Sequence, residues 1–248
     1  MSHITRSLVV ALLVLMQAAT FGGCARNADA GAKAFAASAG ADVSGVWVRD
    51  SGPPADAPSP AAEPPLKEPY ANAYKAARHP PAPPTPAGEK CKVEGMPTLM
   101  AAHNALEILQ TPGQVTILAE YMTQTRRIYL DEPLPAPDDV NPGYMGYSVG
   151  KWQGNTLGVQ TIGVRDDVRY LDIPHSAKMH ISEKIHLAAS DRLQDDITIV
   201  DPDVLTRPYL LSFRYKKDPH HRITEYPCAH KGIAAAEPSS AGKPPQAK

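Results

Sequence analysis

Apolar and polar residues alternate along the segment KMHISEKIHL, which runs from Lys178 to Leu187. Successive side chains of an extended strand point to opposite faces, so this alternation predicts a strand with one polar and one apolar face. Glu183 is the exception, because it is a carboxylate on the apolar face, between Ile181 and Ile185. A charge on a buried face has to be paired or in contact with water, so Glu183 marks a candidate site.

Similar strand-like segments follow one another from Ala105 to Cys228, and the turns predicted between them are Pro112-Gly113, Thr123-Gln124, Gly154-Asn155 and Ala189-Ser190-Asp191. Consecutive strands joined by short turns predict an all-β fold built as an antiparallel meander. Roughly eight to ten strands favour a closed or nearly closed barrel, because closure removes the exposed edges. Gly45-Val46-Trp47 in the first strand is similar to the Gly-x-Trp that opens lipocalin-like barrels. A β-sandwich is the alternative.

Residues 1–23 have the anatomy of a secretory signal, with a short basic region ending at Arg6 and an apolar run that is short for a membrane span. The small residues before Cys24 resemble a bacterial lipoprotein signal, in which the cysteine is lipidated and becomes the mature N-terminus. No acidic residue directly follows Cys24. In such lipoproteins this implies a periplasmic protein anchored to the outer membrane. An ordinary signal peptide with an incidental cysteine is the alternative.

The rest of the chain divides by composition. Residues 24–42 are Ala-rich and predict a tether, and residues 232–248 predict a disordered tail. Residues 43–231 are expected to form one β-barrel-like domain, which begins with a strand over Val43–Asp50. A Pro-rich insertion at 51–90 contains a predicted short helix, begun by Pro69 and stopped by Pro80.

The formal net charge is −1 and no stretch is strongly basic, so the sequence gives no indication of nucleic-acid binding. The chain has three cysteines, and lipidation of Cys24 would leave Cys91 and Cys228. Export places this pair in an oxidising compartment, which favours a disulfide over two buried thiols. A disulfide closing so long a loop would ideally contribute about 4–5 kcal/mol through loop-closure entropy.

Pairing the strands through their turns assigns several polar or aromatic side chains to the inward faces, namely Tyr121, Arg126, Ser148, Trp152, Thr161, Glu183 and Asp195. Arg126 and Glu183 are expected to share one interior, because isolated buried charges are costly. They would form a structural ion pair, or face a ligand cavity in which Arg126 binds an anionic or carbonyl group. The other residues expected to bind the ligand are Tyr121, Ser148, Thr161 and Trp152.

His175 lies in a predicted loop before the Glu183 strand, where the two could act as an acid/base pair. An exposed loop histidine is the alternative, and His103 is a similar, weaker case. No metal site is predicted, since His180 and His186 share a face but lie roughly 20 Å apart along a strand. The sequence has no nucleophile elbow, phosphate loop or dinucleotide fingerprint, and no cofactor is expected.

Five segments between Cys91 and Cys228 resemble a family of uncharacterised exported proteins of Gram-negative bacteria. They are EILQTPGQVTILAEY, RRIY, SVGKWQGNTLGVQTIG, PHSAKMHISEKI and EYPC. The third fits the family pattern Ser-x-Gly-x-Trp-x-Gly-x-Thr-Leu closely, although Tyr147 and Asn155 stand where members usually have His and Asp. The resemblance implies one β-rich exported domain with a paired role for the two late cysteines, and it implies no activity.

Three functions agree with these features. The first is a lipid-anchored periplasmic protein that binds a small, partly apolar molecule in a barrel cavity. The second is a barrel enzyme that uses Glu183 and His175 for acid/base chemistry, such as isomerisation, hydration or elimination. The third is a structural envelope lipoprotein without a ligand. The inward polar residues favour the first two, and the membrane is expected as a partner only through the lipid anchor.

Overall fold

The computed structural model describes residues 40–50, 63–78, 93, 95–168 and 173–226. Within them nine strands form one closed barrel in chain order. The strands are β1 (Gly45–Arg49), β2 (Leu106–Thr111), β3 (Gln114–Ala119), β4 (Gln124–Leu130), β5 (Tyr147–Gln153), β6 (Thr156–Ile162), β7 (His180–Ala189), β8 (Arg192–Val200) and β9 (Tyr209–Lys217). The predicted closed β-barrel is confirmed, and the alternative sandwich is wrong.

The strand directions differ from the expected meander at one pair. All neighbours are antiparallel, including β1 and β9 at the closure, except β4 and β5, which are parallel. A ring of alternating strands closes only if the number of strands is even, so nine strands require one parallel pair. The connection 131–146, which contains a 3-10 turn at Pro137–Asp139, is long enough to return the chain to the end where β4 begins.

Two of the predicted hairpins have the expected two-residue loops. Thr111 pairs with Gln114 around Pro112-Gly113, and Gln153 pairs with Thr156 around Gly154-Asn155. The glycines of both turns have positive φ, 75° for Gly113 and 59° for Gly154. Glycine adopts this conformation without steric cost, which is why these turns could be found from the sequence.

The β3–β4 turn differs from its prediction. Ala119 pairs with Gln124, whereas a Thr123-Gln124 loop would have paired it with Ile128. The chain turns through a 3-10 segment, Tyr121–Thr123, in which Met122 and Thr123 have positive φ of 57° and 50°. Non-glycine residues rarely adopt this conformation, so the sequence carries no signal for the turn. The partner shifts by four residues, an even number, so the inward face of β4 is unchanged.

Two helices accompany the barrel in the described ranges. Helix α1 covers Tyr70–Arg78, and the short helix α2 covers Thr98–Ala101 with Leu99 and Met100 buried. The α2 segment closes the end of the barrel at which β4 begins, since Gly95 N donates to Gln124 Oε1 at 3.2 Å. The hydroxyl of Tyr215 donates to the Met100 carbonyl inside the barrel. Neither helix is long and apolar enough to cross a membrane.

The barrel interior is mainly apolar, and its fully buried side chains include Trp47, Leu106, Ile108, Ile117, Ile128, Leu157 and Phe213. Several predictions fall on residues outside the described ranges. These are the signal at 1–23, lipidation of Cys24, nearly all of the tether, most of the Pro-rich insertion, the Cys91–Cys228 disulfide and the tail at 232–248.

Candidate functional site

An ion pair between Arg126 on β4 and Glu183 on β7 lies inside the barrel, and both side chains are completely buried. Nη1 of Arg126 donates to Oε1 of Glu183 at 2.8 Å, and Nη2 donates to Oε2. This two-pronged contact matches the planar guanidinium to the carboxylate. The prediction that Arg126 and Glu183 share one interior is confirmed.

Ser148 and Thr161 complete the surroundings of Arg126. They are direct cross-strand partners on β5 and β6, and their hydroxyl oxygens lie 2.8 Å apart. Arg126 Nε donates to Ser148 Oγ at 3.4 Å, and Nη2 donates to Thr161 Oγ1 at 3.0 Å. Burial opposes the charge of Arg126, but the carboxylate of Glu183 raises the pKa of the guanidinium above its usual value.

All three guanidinium nitrogens are thus bonded within the protein. This differs from the expectation that Arg126 would be open to an anionic or carbonyl group of a ligand. The geometry is that of a structural ion pair, in which two hydroxyl groups satisfy the donors that the carboxylate does not reach.

Asp195 on β8 is the second buried acid of this cluster. It is completely buried, neither carboxyl oxygen faces a donor among the described residues, and its carboxyl can hydrogen-bond the Glu183 carboxylate only by donating its own proton. Burial raises the pKa of Asp195 well above its usual value, and the negative charge of Glu183 raises it further. The cross-strand pairs Glu183–Ile197 and Ile185–Asp195 make the two acids diagonal neighbours. Asp195 therefore tends to keep its proton in the folded protein.

Two of the expected ligand-binding residues lie away from this cluster. Tyr121 belongs to the 3-10 turn after β3, where its ring contacts Tyr226 at a centroid distance of 5.1 Å. Its assignment to the interior is wrong, because it rested on the two-residue turn. Trp152 faces the same way as Ser148 but lies half-buried near the β5–β6 hairpin, against the backbone of Gly40.

A pocket opens at the end of the barrel that α2 covers. Its empty space is about 380 Å³ when the part open to solvent is included, but the centre of a water-sized group can move in only about 20 Å³ of it, so a larger ligand has to extend towards solvent or displace wall side chains. Three segments from distant parts of the chain form its wall, which consists of Met96, Pro97, Ile173, Pro174, His175, Met179, Ile199, Asp201, Leu205 and Tyr209. Most of these side chains are apolar, so the pocket, called the mouth pocket below, suits an apolar group.

His175 contributes the imidazole of the mouth pocket. Its Nδ1 lies 3.1 Å from the carbonyl oxygen of Ser176, and its Nε2 is buried without a hydrogen-bond partner in the part of the chain that is described. Glu183 does not line this pocket, and both of its oxygens are bonded to Arg126. The structure therefore does not bring His175 and Glu183 together as an acid/base pair. His103 is exposed.

Asp201 is a pocket residue that the sequence analysis did not identify. It is buried, and its carboxylate accepts hydrogen bonds from Ser176 N at 2.6 Å, Ser176 Oγ at 2.8 Å and Asp203 N at 3.1 Å. The signal was the sequence Asp201-Pro202-Asp203, because an Asp before a turn often bonds the backbone two residues on. Asp201 fastens the loop that carries His175 to the end of β8.

The fold and these two sites define a closed β-barrel with a buried ion pair and a separate pocket at one end. No group of three or more His, Cys, Asp or Glu side chains that could hold a metal ion occurs in the described ranges. A scan with models of protein families gives no match, and no characterised protein compared with the chain is significantly similar to it.

Proposed function

We propose that this protein is an exported envelope protein that binds a small, partly apolar molecule in the mouth pocket. The observation that carries the proposal is Nε2 of His175, which is buried and has no hydrogen-bond partner among the described residues, in a mostly apolar wall. Ligand sites commonly combine apolar lining with a few polar groups that fix the orientation of the ligand. The ligand position is the mouth pocket and not the Arg126–Glu183 cluster.

The cellular part of the proposal rests on the sequence. The apolar run before Cys24 and the small residues next to it support export and lipidation. On this proposal the barrel lies in the periplasm, tethered to the outer membrane through Cys24. Export also supports a disulfide between Cys91 and Cys228.

Binding is favoured over the two other functions for separate reasons. An acid/base enzyme that used His175 and Glu183 would need both groups at one substrate, and they belong to different sites. A purely structural lipoprotein would have no use for an unpaired polar atom in the wall of a pocket, since such an atom is costly.

The test is binding of N-phenyl-1-naphthylamine, a neutral apolar fluorophore, to the purified protein. Ile173→Trp should fill the mouth pocket and weaken binding at least about tenfold, because Ile173 is a buried wall residue. The matched control is Ala177→Trp, which adds the same side chain at an exposed position of the same loop. Absence of binding to the wild type, or equal binding by both variants, would contradict the proposed function and favour a structural role.

A further inference from the structure

The hydrogen-bonding role of His175 is fixed by its neighbour Ser176. Nδ1 of His175 lies 3.1 Å from the Ser176 carbonyl oxygen. A carbonyl oxygen only accepts hydrogen bonds, so Nδ1 is the donor in this contact and carries the proton. In a neutral imidazole the other nitrogen then has a free lone pair and no proton. Nε2, which is buried and unpaired among the described residues, is therefore a hydrogen-bond acceptor.

The carbonyl that selects this tautomer is itself held in place. Both the backbone N and the hydroxyl of Ser176 donate to the carboxylate of Asp201, at 2.6 Å and 2.8 Å. The same Ser176 carbonyl also accepts a hydrogen bond from Met179 N at 3.1 Å. These contacts keep the carbonyl oxygen against Nδ1, so they maintain the acceptor at Nε2.

The charge of Asp201 limits what can bind beside this acceptor. Asp201 is one of the residues that line the mouth pocket, and its carboxylate receives a further hydrogen bond from Val204 N at 3.3 Å. All of its hydrogen-bond partners are donors, so the carboxylate acts only as an acceptor here. A negative charge beside an apolar wall disfavours a ligand with a carboxylate or phosphate group, because no lysine or arginine side chain lines the pocket to offset the second charge.

Resting on the binding function proposed above, we propose that the ligand class is a neutral apolar molecule with a hydroxyl group, an alcohol or a phenol. Its O–H donates to Nε2 of His175 after a small movement of the wall, since this nitrogen has almost no accessible surface in the free protein. Its apolar body packs against the wall formed by Met96, Ile173, Met179, Ile199 and Leu205. A hydrocarbon without a donor would leave Nε2 unpaired, and an acid would be repelled by Asp201.

Three probes of similar size test this inference by calorimetric titration of the purified protein: 4-propylphenol, its methyl ether and 4-propylbenzoate. The phenol should bind about three- to tenfold more tightly than the ether, since it alone donates to Nε2. The benzoate should bind more weakly than the phenol. His175→Phe keeps an aromatic ring but removes the acceptor, so it should bring phenol and ether to equal affinity. The control His103→Phe, at an exposed position, should preserve the difference.

The outcomes separate this inference from the function on which it rests. Equal binding of phenol and ether to the wild type would overturn the hydroxyl ligand but leave the pocket as a binding site. Tightest binding of the benzoate would overturn it in favour of an anion. Failure of all three probes and of the fluorophore would refute the proposed function. Nitrogen-15 NMR of His175 in the free protein tests the tautomer even if His175→Phe does not fold, and a proton on Nε2 would overturn the inference.

Discussion

Glu183 and Arg126 illustrate how a single buried contact depends on both of its members. Removing the charge of one partner leaves the other charged in an interior that offers few replacements. Ser148 and Thr161 accept hydrogen bonds from Arg126, but neither hydroxyl carries a negative charge. The stability of the barrel should therefore respond far more to a change at Glu183 than to changes on the outward face of β7.

Glu183→Gln should lower the free energy of unfolding by up to about 3–5 kcal/mol, because it removes the carboxylate bonded to the buried Arg126 guanidinium; ionisation of the neighbouring Asp195 would restore part of this loss. The measurement is urea denaturation followed by circular dichroism. The control is Lys184→Gln, which changes the next, exposed residue of the same strand and should cost less than about 1 kcal/mol. A loss at Glu183 as small as that of the control would show that the ion pair is not needed for folding.

Asp195 should make the stability of the protein depend on pH. In the unfolded chain its carboxyl loses the proton near the usual pKa of about 3.9, whereas burial raises the pKa in the folded protein. The folded state thus binds more protons, and the unfolding free energy should fall as pH rises from about 4 towards the folded-state pKa. Asp195→Asn cannot titrate, so it should flatten this dependence and stabilise the protein at pH 7.

The measurement for Asp195 is a series of urea titrations between pH 4.5 and 8, with the exposed Asp138→Asn as the control. If wild type and Asp195→Asn change in parallel over this range, the buried carboxyl has no raised pKa. The influence of Glu183 on Asp195 is also testable. In Glu183→Gln the neighbouring negative charge is absent, so the pKa of Asp195 should be lower than in the wild type.

Among individual residues, the buried polar set was largely predictable. Arg126, Ser148, Thr161, Glu183 and Asp195 were all assigned to the interior, and all are buried. The strand period of two decides which face a side chain takes, and an even error in pairing does not change it. The specific contacts were less predictable, since they depend on which strands become neighbours.

At the scale of the elements, Gly150 on β5 leaves room for side chains from the strands on both sides. A Cβ atom at Gly150 would lie 2.7 Å from Ile128 Cγ2 on β4 and 3.2 Å from Leu157 Cδ1 on β6. Distances this short require the neighbouring side chains to move. A side chain at this position would affect the parallel β4–β5 pair most directly, because Gly150 is one of its only three paired positions on β5.

Gly150→Ala should lower the free energy of unfolding by about 1–3 kcal/mol through overpacking of the interior. Gly158 on β6 provides the matched control, since a Cβ there would meet only the Lys151 carbonyl, at 3.7 Å. Gly158→Ala should therefore change stability by less than about 1 kcal/mol. Both are measured by thermal and urea unfolding, and equal effects of the two substitutions would refute the packing argument.

Two chain segments that lead to the late cysteines start from the same turn of the barrel. Gly95 N is bonded to the side chain of Gln124, and Gln124 Nε2 donates to the Tyr121 carbonyl at 3.2 Å. The Tyr121 ring in turn contacts Tyr226 near the end of the described chain. The points from which the two segments leave the barrel are thus connected through one turn.

We therefore expect a disulfide bond between Cys91 and Cys228. Cys91 precedes Gly95 by four residues and Cys228 follows Tyr226 by two, which is enough chain to let the sulfur atoms meet. Peptide mapping without reductant should recover a Cys91–Cys228 peptide, and Cys228→Ser should lower the melting temperature. Cys24→Ser is the control and should retain the linked peptide. Two alkylatable thiols in the folded Cys24→Ser variant would contradict the pairing.

Two of the turns could be predicted from the sequence, whereas the β3–β4 turn could not. Pro112-Gly113 and Gly154-Asn155 were predictable, because glycine supplies the positive φ that each turn uses. The β3–β4 turn places positive φ on Met122 and Thr123 instead. These residue types do not mark such a conformation, so the turn was placed wrongly and Tyr121 with it.

For the whole molecule, the barrel was predictable because its strands alternate and follow one another closely. The mouth pocket was not, since its wall combines the segment around Met96, the loop around His175 and the connection around Leu205. Residues so far apart in the chain share no local pattern. Asp201 fastens two of these segments together, and although its bond to the Asp203 backbone has a local signal, its contacts with Ser176 have none.

Cys24 should decide where the whole molecule is found in the cell. Expressed from its full sequence in a Gram-negative host, the wild type should fractionate with the outer membrane, and intact mass should show a lipidated N-terminal cysteine. Cys24→Ser should move the protein to the soluble periplasm, because a stable anchor requires the acyl chains. An unmodified N-terminus at another position in the wild type would contradict the anchor.

The pairing of the first strand with the last has a consequence for the timing of folding. Trp47 on β1 is the partner of Lys217 on β9, so the ring cannot close until the chain has been made through β9. Contacts between residues so far apart in the chain also make folding slow. Until β9 is complete, the partly made chain has open strand edges and remains able to unfold. A protein that crosses a membrane as an extended chain, as we propose here, needs that delay, and this barrel acquires it from its topology.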